Sequence, residues 1–495
     1  MPRVIKRWSR WGPVLLVVVL AYMPLFWLLS SHPVQQYDEA RTGLNGLNIL
    51  HTHDWLVLRD ASLQPDLWNC KPPLWPWLLA VSFKLLQPPE LALRLPTALI
   101  GLATVLVVYW AGRRWLGSWE YGVLAAMILL TSPGYVGYHL TRSGDFDTLL
   151  TFWTTLGSLS WLRYLATGQK RAVWLTGLFF FLAAFTKGIA GLMFGPGLLV
   201  ATLVTGQLQR LWRPEPWLAL AGILGGMALW YGIREAAEPG YLAAVWQYEI
   251  GGPAAEQLEG HHHEFYWYVA LLTEVKFTFW LVLALLGILL GWRLPRNTHG
   301  WWLARFIASV AGMFLLVLSI TQTKLGWYDA PMYPLLALLA AGGLSWAIKG
   351  VAAQQRWQLG WQARLGLLLT LIALPYWAQC RALARIYDAR NNVPSLLYGQ
   401  HIRRQVQVEP NLREYLAGVD GQFNDSPDFY RAAARLNYNH SITFVTPWSI
   451  LDKARPGQYV AICGTRTRRN WERLFRTSIM VQSDSCVTLF LEARK

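Results

Sequence analysis

The sequence predicts an all-α polytopic membrane bundle of about eleven transmembrane helices, followed by a small α+β domain. Three observations predict it. Apolar stretches long enough to cross a bilayer recur along the 495 residues. Hydrophobic residues make up 54% of the chain and charged residues 15%, whereas soluble globules carry about a quarter charged residues. The basic residues gather in short loops between alternate apolar stretches, the pattern of cytoplasmic loops in membrane proteins.

Taken in order, the first stretch, 11–30, follows Arg3, Lys6, Arg7 and Arg10. It lacks a small-residue cleavage site and further spans succeed it, so it reads as a retained anchor and not as a signal peptide. The other spans are expected at 94–112, 119–136, 148–165, 172–186, 189–205, 216–233, 266–290, 301–320, 329–348 and 364–380. Leu74–Leu86, short and bounded by Pro73 and Pro88, suits an interfacial or re-entrant helix better than a crossing. Only Thr186-Lys187-Gly188 separates 172–186 from 189–205, so these two read as a broken pair.

Arg113-Arg114, Arg163/Lys170/Arg171, Arg210/Arg213, Arg293/Arg296 and Lys349/Arg356/Arg364 mark the cytoplasmic loops. The net charge of +16 is therefore spent on topology, and nucleic-acid binding is excluded as a reading. An odd span count puts the N-terminus in the cytoplasm and everything after Cys380 outside. The outer loops are then 31–93, 137–147, 234–265 and the short Thr321–Trp327. Many of the 29 tryptophans, and the run Phe265-Tyr266-Trp267-Tyr268, suit the water–lipid interface.

The chain divides into a membrane domain, 1–382, and a soluble outer domain, 383–495. In the latter, Ser426-Pro427-Asp428 starts a helix running to Leu436. Ile442–Val445 and Tyr459–Cys463 are short strands, and a basic helix covers Arg466–Phe475. Ser478–Gln482 and Cys486–Leu491 pair as a hairpin, with alternating Ile479, Val481, Val487, Leu489 and Leu491 half-buried. Cys463 and Cys486 are open to either a disulfide or two free thiols.

Chemistry concentrates in the outer loops. Asp38-Glu39 sits just beyond the first span, and Asp54 and Arg59 follow, then Cys70-Lys71-Pro72-Pro73. The second loop holds Arg142-Ser143-Gly144-Asp145-Phe146-Asp147, and the fourth Lys324-Leu325-Gly326-Trp327-Tyr328. Each group has a plain alternative: a solvated acidic pair for Asp38-Glu39, and snorkelling to lipid headgroups for Lys71, Arg142 and Arg59. Acids, phosphate-suited cations and a tyrosine nevertheless converge on one membrane surface. The run His261-His262-His263-Glu264 is open to three readings: a solvated loop, a phosphate or substrate contact, or a divalent metal site.

These motifs resemble, in order, those of the C-type membrane glycosyltransferases. They are Asp38-Glu39, His53-Asp54-Trp55-Leu56-Val57, Lys71-Pro72-Pro73, Arg142-x-Gly144-Asp145-x-Asp147, Thr186-Lys187-Gly188 and Lys324-Leu325-x-x-Tyr328. The branch most similar contains the lipid A aminoarabinose transferases and the protein O-mannosyltransferases, and the resemblance covers about residues 35–335. It implies transfer of a sugar from a polyprenyl-phosphate donor to a lipid A, glycan or protein hydroxyl at the outer face of a bacterial inner membrane. An acceptor hydroxyl is a weak nucleophile, so a carboxylate must take its proton. Asp38 matches the family's catalytic aspartate, with Glu39 as its alternate. Asp147 matches the second family acid, and it or Asp145 would orient the acceptor or hold a metal. Lys71 matches the lysine on the donor phosphate; Arg59, Arg142 and Lys324 are further candidates, and Tyr328 matches a phosphate-contacting tyrosine. The sequence assigns no definite cofactor, and a divalent metal (Zn, Mg or Mn) is an open role for the acids and histidines.

The chain departs from the family pattern at Cys70, where many relatives have Glu, and at Gly326, where proline is usual. The alternative function is a lipid-linked sugar transporter or flippase. Such proteins place ionisable groups near the midplane of repeated halves, whereas these spans are almost bare of charge and no repeat is evident.

Overall fold

A computed structural model of the chain describes residues 3–251, 263–355, 361–390, 394–419, 425–483 and 485–495. Five of its helices are long and apolar enough to cross a membrane: Pro89–Leu116, Lys170–Leu192, Pro214–Ala237, His299–Ile320 and Ala330–Gly350. A sixth crossing results if Trp267–Lys276 and Thr278–Trp292, bent by 116°, count as one span. Eleven helices of that length and hydropathy are not found among the described residues, and the reasons are local. The expected 119–136 span stops at Leu130. There the hydroxyls of Thr131 and Ser132 turn back onto the carbonyls of Met127 and Ile128, and Pro133 offers no N–H to continue. The 147–167 helix is threaded with Thr148, Thr151, Thr154, Thr155 and Ser158. The 266–290 stretch breaks at a π-helical turn, Leu272–Lys276. The pair around Lys187 is a long helix, a 3-10 turn and a short helix, Gly195–Val204. Leu74–Leu85 is a short helix, as its bounding prolines suggest.

The chain forms two compact units. The first comprises Met1–Trp27, Leu67–Trp75 and Thr97–Leu383. Its core gathers Trp280, Tyr333, Phe194, Phe277 and Phe314, while Leu218, Leu224, Leu229, Val282 and Leu289 stand exposed. Helices with apolar residues turned outward suit a hydrocarbon solvent, because the helix satisfies its own backbone.

The second unit comprises Leu28–Asp66, Pro76–Pro96 and Ala384–Lys495. It holds a five-stranded sheet in the order β2-β1-β3-β5-β4. The strands are β1 (Glu414–Gly418), β2 (Ser441–Val445), β3 (Tyr459–Cys463), β4 (Phe475–Ser483) and β5 (Cys486–Arg494). β1 runs parallel to β2 and β3, and β3-β5-β4 are antiparallel. Cys463 and Cys486 face each other across β3 and β5 and form a disulfide. Val460, Ile462, Trp471, Phe475, Leu489 and Leu491 make the core. The helix Asp425–Tyr438, the basic helix Thr465–Leu474 and four strands lie where their patterns predict. β1 and the helix Pro394–Val408 carry no such local signal.

Candidate active site

In the first unit, residues 67–71 lie on the helix Tyr241–Val245 and its π-helical continuation Trp246–Ile250. The Tyr241 hydroxyl donates to the Cys70 carbonyl (2.6 Å), and the Trp68 and Tyr248 rings pair at 6.3 Å. Glu235 caps the start of the 241–245 helix by accepting from the N–H groups of Gly240 and Leu242. Lys71 emerges from this seat partly exposed, its ammonium 2.9 Å from Glu249 Oε1 and 5.6 Å from the Phe146 ring centroid.

Phe146 separates two engaged acids. Asp145 Oδ2 lies 2.9 Å from His139 Nδ1, and the His139 ring stacks on Trp327 at 3.4 Å. Asp147 receives Lys187 Nζ at 2.7 Å on both carboxylate oxygens. Both partners are buried. Lys187 can end its helix there because Gly188 follows at φ 53°, a left-handed conformation that suits glycine. The same ammonium sits 5.0 Å from the Tyr328 ring centroid. Next to Tyr328, Asp329 accepts from Lys276 (2.7 Å) and from the Tyr333 hydroxyl (2.7 Å), and Lys276 also donates to the Gly326 carbonyl. The His139–Trp327 stack joins the 137–147 loop to the 321–329 loop, and Lys187 links them again through Asp147 and the Tyr328 ring.

Two predicted cations of this unit are braces. Arg142 is buried and donates to the carbonyls of Pro24 (3.3 Å) and Trp27 (2.7 Å). Lys324 donates to the Thr321 carbonyl at 2.6 Å. His263 stacks on Trp267 at 3.9 Å, while His261 and His262 lie outside the described residues. Lys187 and Glu249 were assigned no role from the sequence. The Thr-Lys-Gly motif signalled the first, and nothing local signalled the second.

In the second unit, Asp38 opens the helix Asp38–Thr52 after Tyr37, whose φ of 64° and ψ of −121° are strained for a non-glycine residue. Asp38 is half-exposed, at the end of the helix whose dipole favours a negative charge. Glu39 is wholly buried. Its oxygens take Arg94 Nε (2.7 Å), Arg94 Nη2 (2.9 Å) and the Gln35 N–H (2.8 Å). Arg94 also donates to the carbonyls of Leu29, His32 and Pro33. Glu39 thus anchors the turn that presents Asp38. Arg59 donates to Asp54 (2.7 Å) and to the Leu63 carbonyl (3.1 Å). Burial would raise the Asp54 carboxyl, but the Val57 N–H and the Arg59 guanidinium outweigh it and hold Asp54 below the usual carboxylate range. Arg59 braces its own loop.

Residues 70–231 match the family model described as dolichyl-phosphate-mannose-protein mannosyltransferase. The chain is 27% identical over 345 residues to an undecaprenyl phosphate-alpha-4-amino-4-deoxy-L-arabinose arabinosyl transferase of Edwardsiella ictaluri, covering 68% of this chain and 60% of that protein. A transferase of the same description from Pectobacterium atrosepticum is 26% identical over 340 residues, covering 67% of this chain and 58% of the relative. The chain thus spans about 60% of the length of the curated relatives it matches. Among solved structures, ArnT from Cupriavidus metallidurans bound to undecaprenyl phosphate superposes with a TM-score of 0.71 at 19% identity, over 97% of this chain and 98% of that one. The Archaeoglobus fulgidus oligosaccharyltransferase follows at 0.52 and 12%, over 98% and 75%. By sequence the chain is related to the aminoarabinosyl transferases and the protein mannosyltransferases, and it shares the fold of ArnT.

Proposed function

We propose that this protein is a bacterial inner-membrane glycosyltransferase, moving a sugar from a polyprenyl-phosphate donor to an acceptor hydroxyl at the extracytoplasmic face. The observation that carries the reading is the family match over residues 70–231, a stretch containing Lys71, Asp145, Asp147 and Lys187. The acceptor oxygen attacks the anomeric carbon while Asp38 takes its proton, and the bond from that carbon to the phosphate oxygen breaks. Polyprenyl phosphate departs with the electron pair, and Lys71 neutralises it as a point charge. Asp147 acts through Lys187, whose ammonium orients the Tyr328 ring. Glu39, Arg59 and Arg142 hold the loops in place.

The acceptor class comprises lipid A, another glycan or a protein hydroxyl. The disulfide between Cys463 and Cys486 supports an oxidising, extracytoplasmic location for the C-terminal residues, with the N-terminus in the cytoplasm. His139 Nδ1 and Asp145 Oδ2, 2.9 Å apart, are an N/O donor pair suited to a divalent metal such as zinc or manganese. Turnover that survives dialysis against a chelator would remove that role. A transporter without covalent chemistry is not favoured, because the curated relatives with assigned names are transferases.

The test is sugar transfer from a polyprenyl-phosphate donor by purified Asp38→Asn and Lys71→Ala proteins. Turnover should fall by about 100-fold or more for the base. Near wild-type rates in both folded variants would refute the assignment.

A further inference from the structure

Away from the candidate site, two turns of the first unit are tied into one cationic surface. The helices Asp147–Thr167 and Lys170–Lys187 form a hairpin whose open end holds the Asp147–Lys187 pair. Its closed end is the turn at Gly168, where φ is 72°. A helix of 21 residues is about 30 Å long, one hydrocarbon thickness. The turn therefore lies at the opposite membrane face from Asp147 and Lys187. The 3-10 segment Leu208–Trp212 packs on it. The Tyr164 hydroxyl donates to the Arg210 carbonyl (3.1 Å), and the Arg210 guanidinium lies 5.4 Å from the Tyr164 ring centroid. A Cβ on Gly168 would run into that guanidinium. Arg210 Nε donates to Gln207 (2.6 Å), and Arg163 Nε to Gln169 (3.0 Å).

Residues 163–171 and 207–217 carry five cations, Arg163, Lys170, Arg171, Arg210 and Arg213, against one acid, Glu215. Lys170 takes Glu215 at 2.5 Å. Arg171 and Arg213 are exposed, and among the described residues they form no ion pair. Helix dipoles do not account for them. Arg171 is in the first turn of its helix and Arg213 directly precedes the helix Pro214–Ala237, ends at which positive charge is disfavoured. Apolar side chains border the same turns. Trp212 is 85% exposed, Trp217 59% and Leu208 45%. The Trp217 indole N–H donates to the Leu211 carbonyl (2.7 Å), which fixes that ring in place. Tryptophans standing out beside arginines mark the depth at which headgroup phosphates lie.

We propose that these turns bind an anionic phospholipid of the leaflet opposite the Asp147–Lys187 pair. Arg171 and Arg213 take its phosphate, and Trp212 and Leu208 lie against the start of its acyl chains. Charge and apolar rim together select a lipid, because a soluble phosphate needs the arginines but not the exposed tryptophan. By the distribution of the basic loops, this leaflet is the cytoplasmic one. The bound lipid clamps the closed end of the hairpin that carries Asp147 and Lys187 at its other end. The inference depends on the chain spanning a bilayer and not on the transfer reaction, so the two readings fail separately.

The experiment is native mass spectrometry of the whole protein in detergent, titrated with phosphatidylglycerol or phosphatidylcholine. Wild type should hold one phosphatidylglycerol about ten-fold more tightly than phosphatidylcholine. Arg171→Gln and Arg213→Gln should each weaken phosphatidylglycerol about five-fold, the worth of one cation near a charged surface, and the double variant about 25-fold. Arg293→Gln/Arg296→Gln removes the same charge from a different basic loop and should leave that affinity unchanged. Added inorganic phosphate should not displace the lipid. Equal affinity for the two lipids, or unchanged phosphatidylglycerol binding in the double variant, overturns the inference. An equal loss in the control pair does so too, because the charges would then act only as topological signals. Displacement by inorganic phosphate would make the ligand a soluble anion and equally refute the lipid. Melting in detergent checks folding, and the single substitutions carry the test if the double variant does not fold.

Discussion

Replacing Arg94 by methionine tests whether the turn before Asp38 is held by a buried ion. The Arg94 and Glu39 side chains are both 0% exposed. The guanidinium makes five contacts of 2.7–2.9 Å: two to Glu39 and one each to the carbonyls of Leu29, His32 and Pro33. Removing one partner of a buried pair costs about 3–5 kcal/mol, and each orphaned carbonyl adds about 1 kcal/mol or more before water enters. Arg94→Met should therefore destabilise by roughly 5 kcal/mol, a large part of a typical total stability. Arg94→Lys keeps the charge but loses the planar fork, and should cost about half as much. The informative variant is the double Glu39→Met/Arg94→Met. An ordinary buried pair replaced by apolar groups is close to neutral. Here three carbonyls stay unsatisfied, so the double variant should still lose about 2–4 kcal/mol. The assay is denaturation in detergent, with proteolysis of the 28–39 segment followed alongside. Full stability in the double variant, or a loss under about 1 kcal/mol in Arg94→Met, would refute the carbonyl-anchoring role.

Three further predictions follow from the same geometry. If Glu249 occupies the position beside Lys71 that the donor phosphate takes, Glu249→Gln should bind a polyprenyl monophosphate about five-fold more tightly, the worth of a partly exposed ion pair; isothermal titration in detergent checks this, and weaker binding contradicts it. Lys187→Met leaves Asp147 buried without its partner and should cost about 3–5 kcal/mol, much of it recovered in Asp147→Asn/Lys187→Met, as melting curves would show. Burial, with Arg404 nearby, holds His401 down at about 4 between Ser483 and Thr488. The unfolded chain binds a proton there below pH 6.5 and the folded chain does not, so stability should fall by up to about 3 kcal/mol between pH 6.5 and 4. Urea denaturation should show that slope, and His401→Gln should flatten it.

Local composition determined much of this protein. Apolar runs became helices, because a chain in hydrocarbon must bond its own backbone. Alternating residues became the β4–β5 hairpin, and short polar motifs became the loops that hold Lys71, Asp145, Asp147 and Tyr328. Spans were misjudged where a few atoms intervene: Thr131 and Ser132 end one helix early, and the π turn at 272–276 bends another. Hydropathy averages over such details.

What the sequence could not decide is which charges are spent on holding the structure. Asp38 and Glu39 are adjacent acids of the same chemistry, yet only Glu39 meets Arg94, 55 positions further on. Arg59, Arg142 and Lys71 look alike in a loop, but Arg59 pairs with Asp54 and the Leu63 carbonyl of its own loop, Arg142 ends on backbone carbonyls, and Lys71 reaches Glu249. Ion pairs and burial are set by contacts distant in the chain, and a residue's type fixes only what it can do when such a contact arrives.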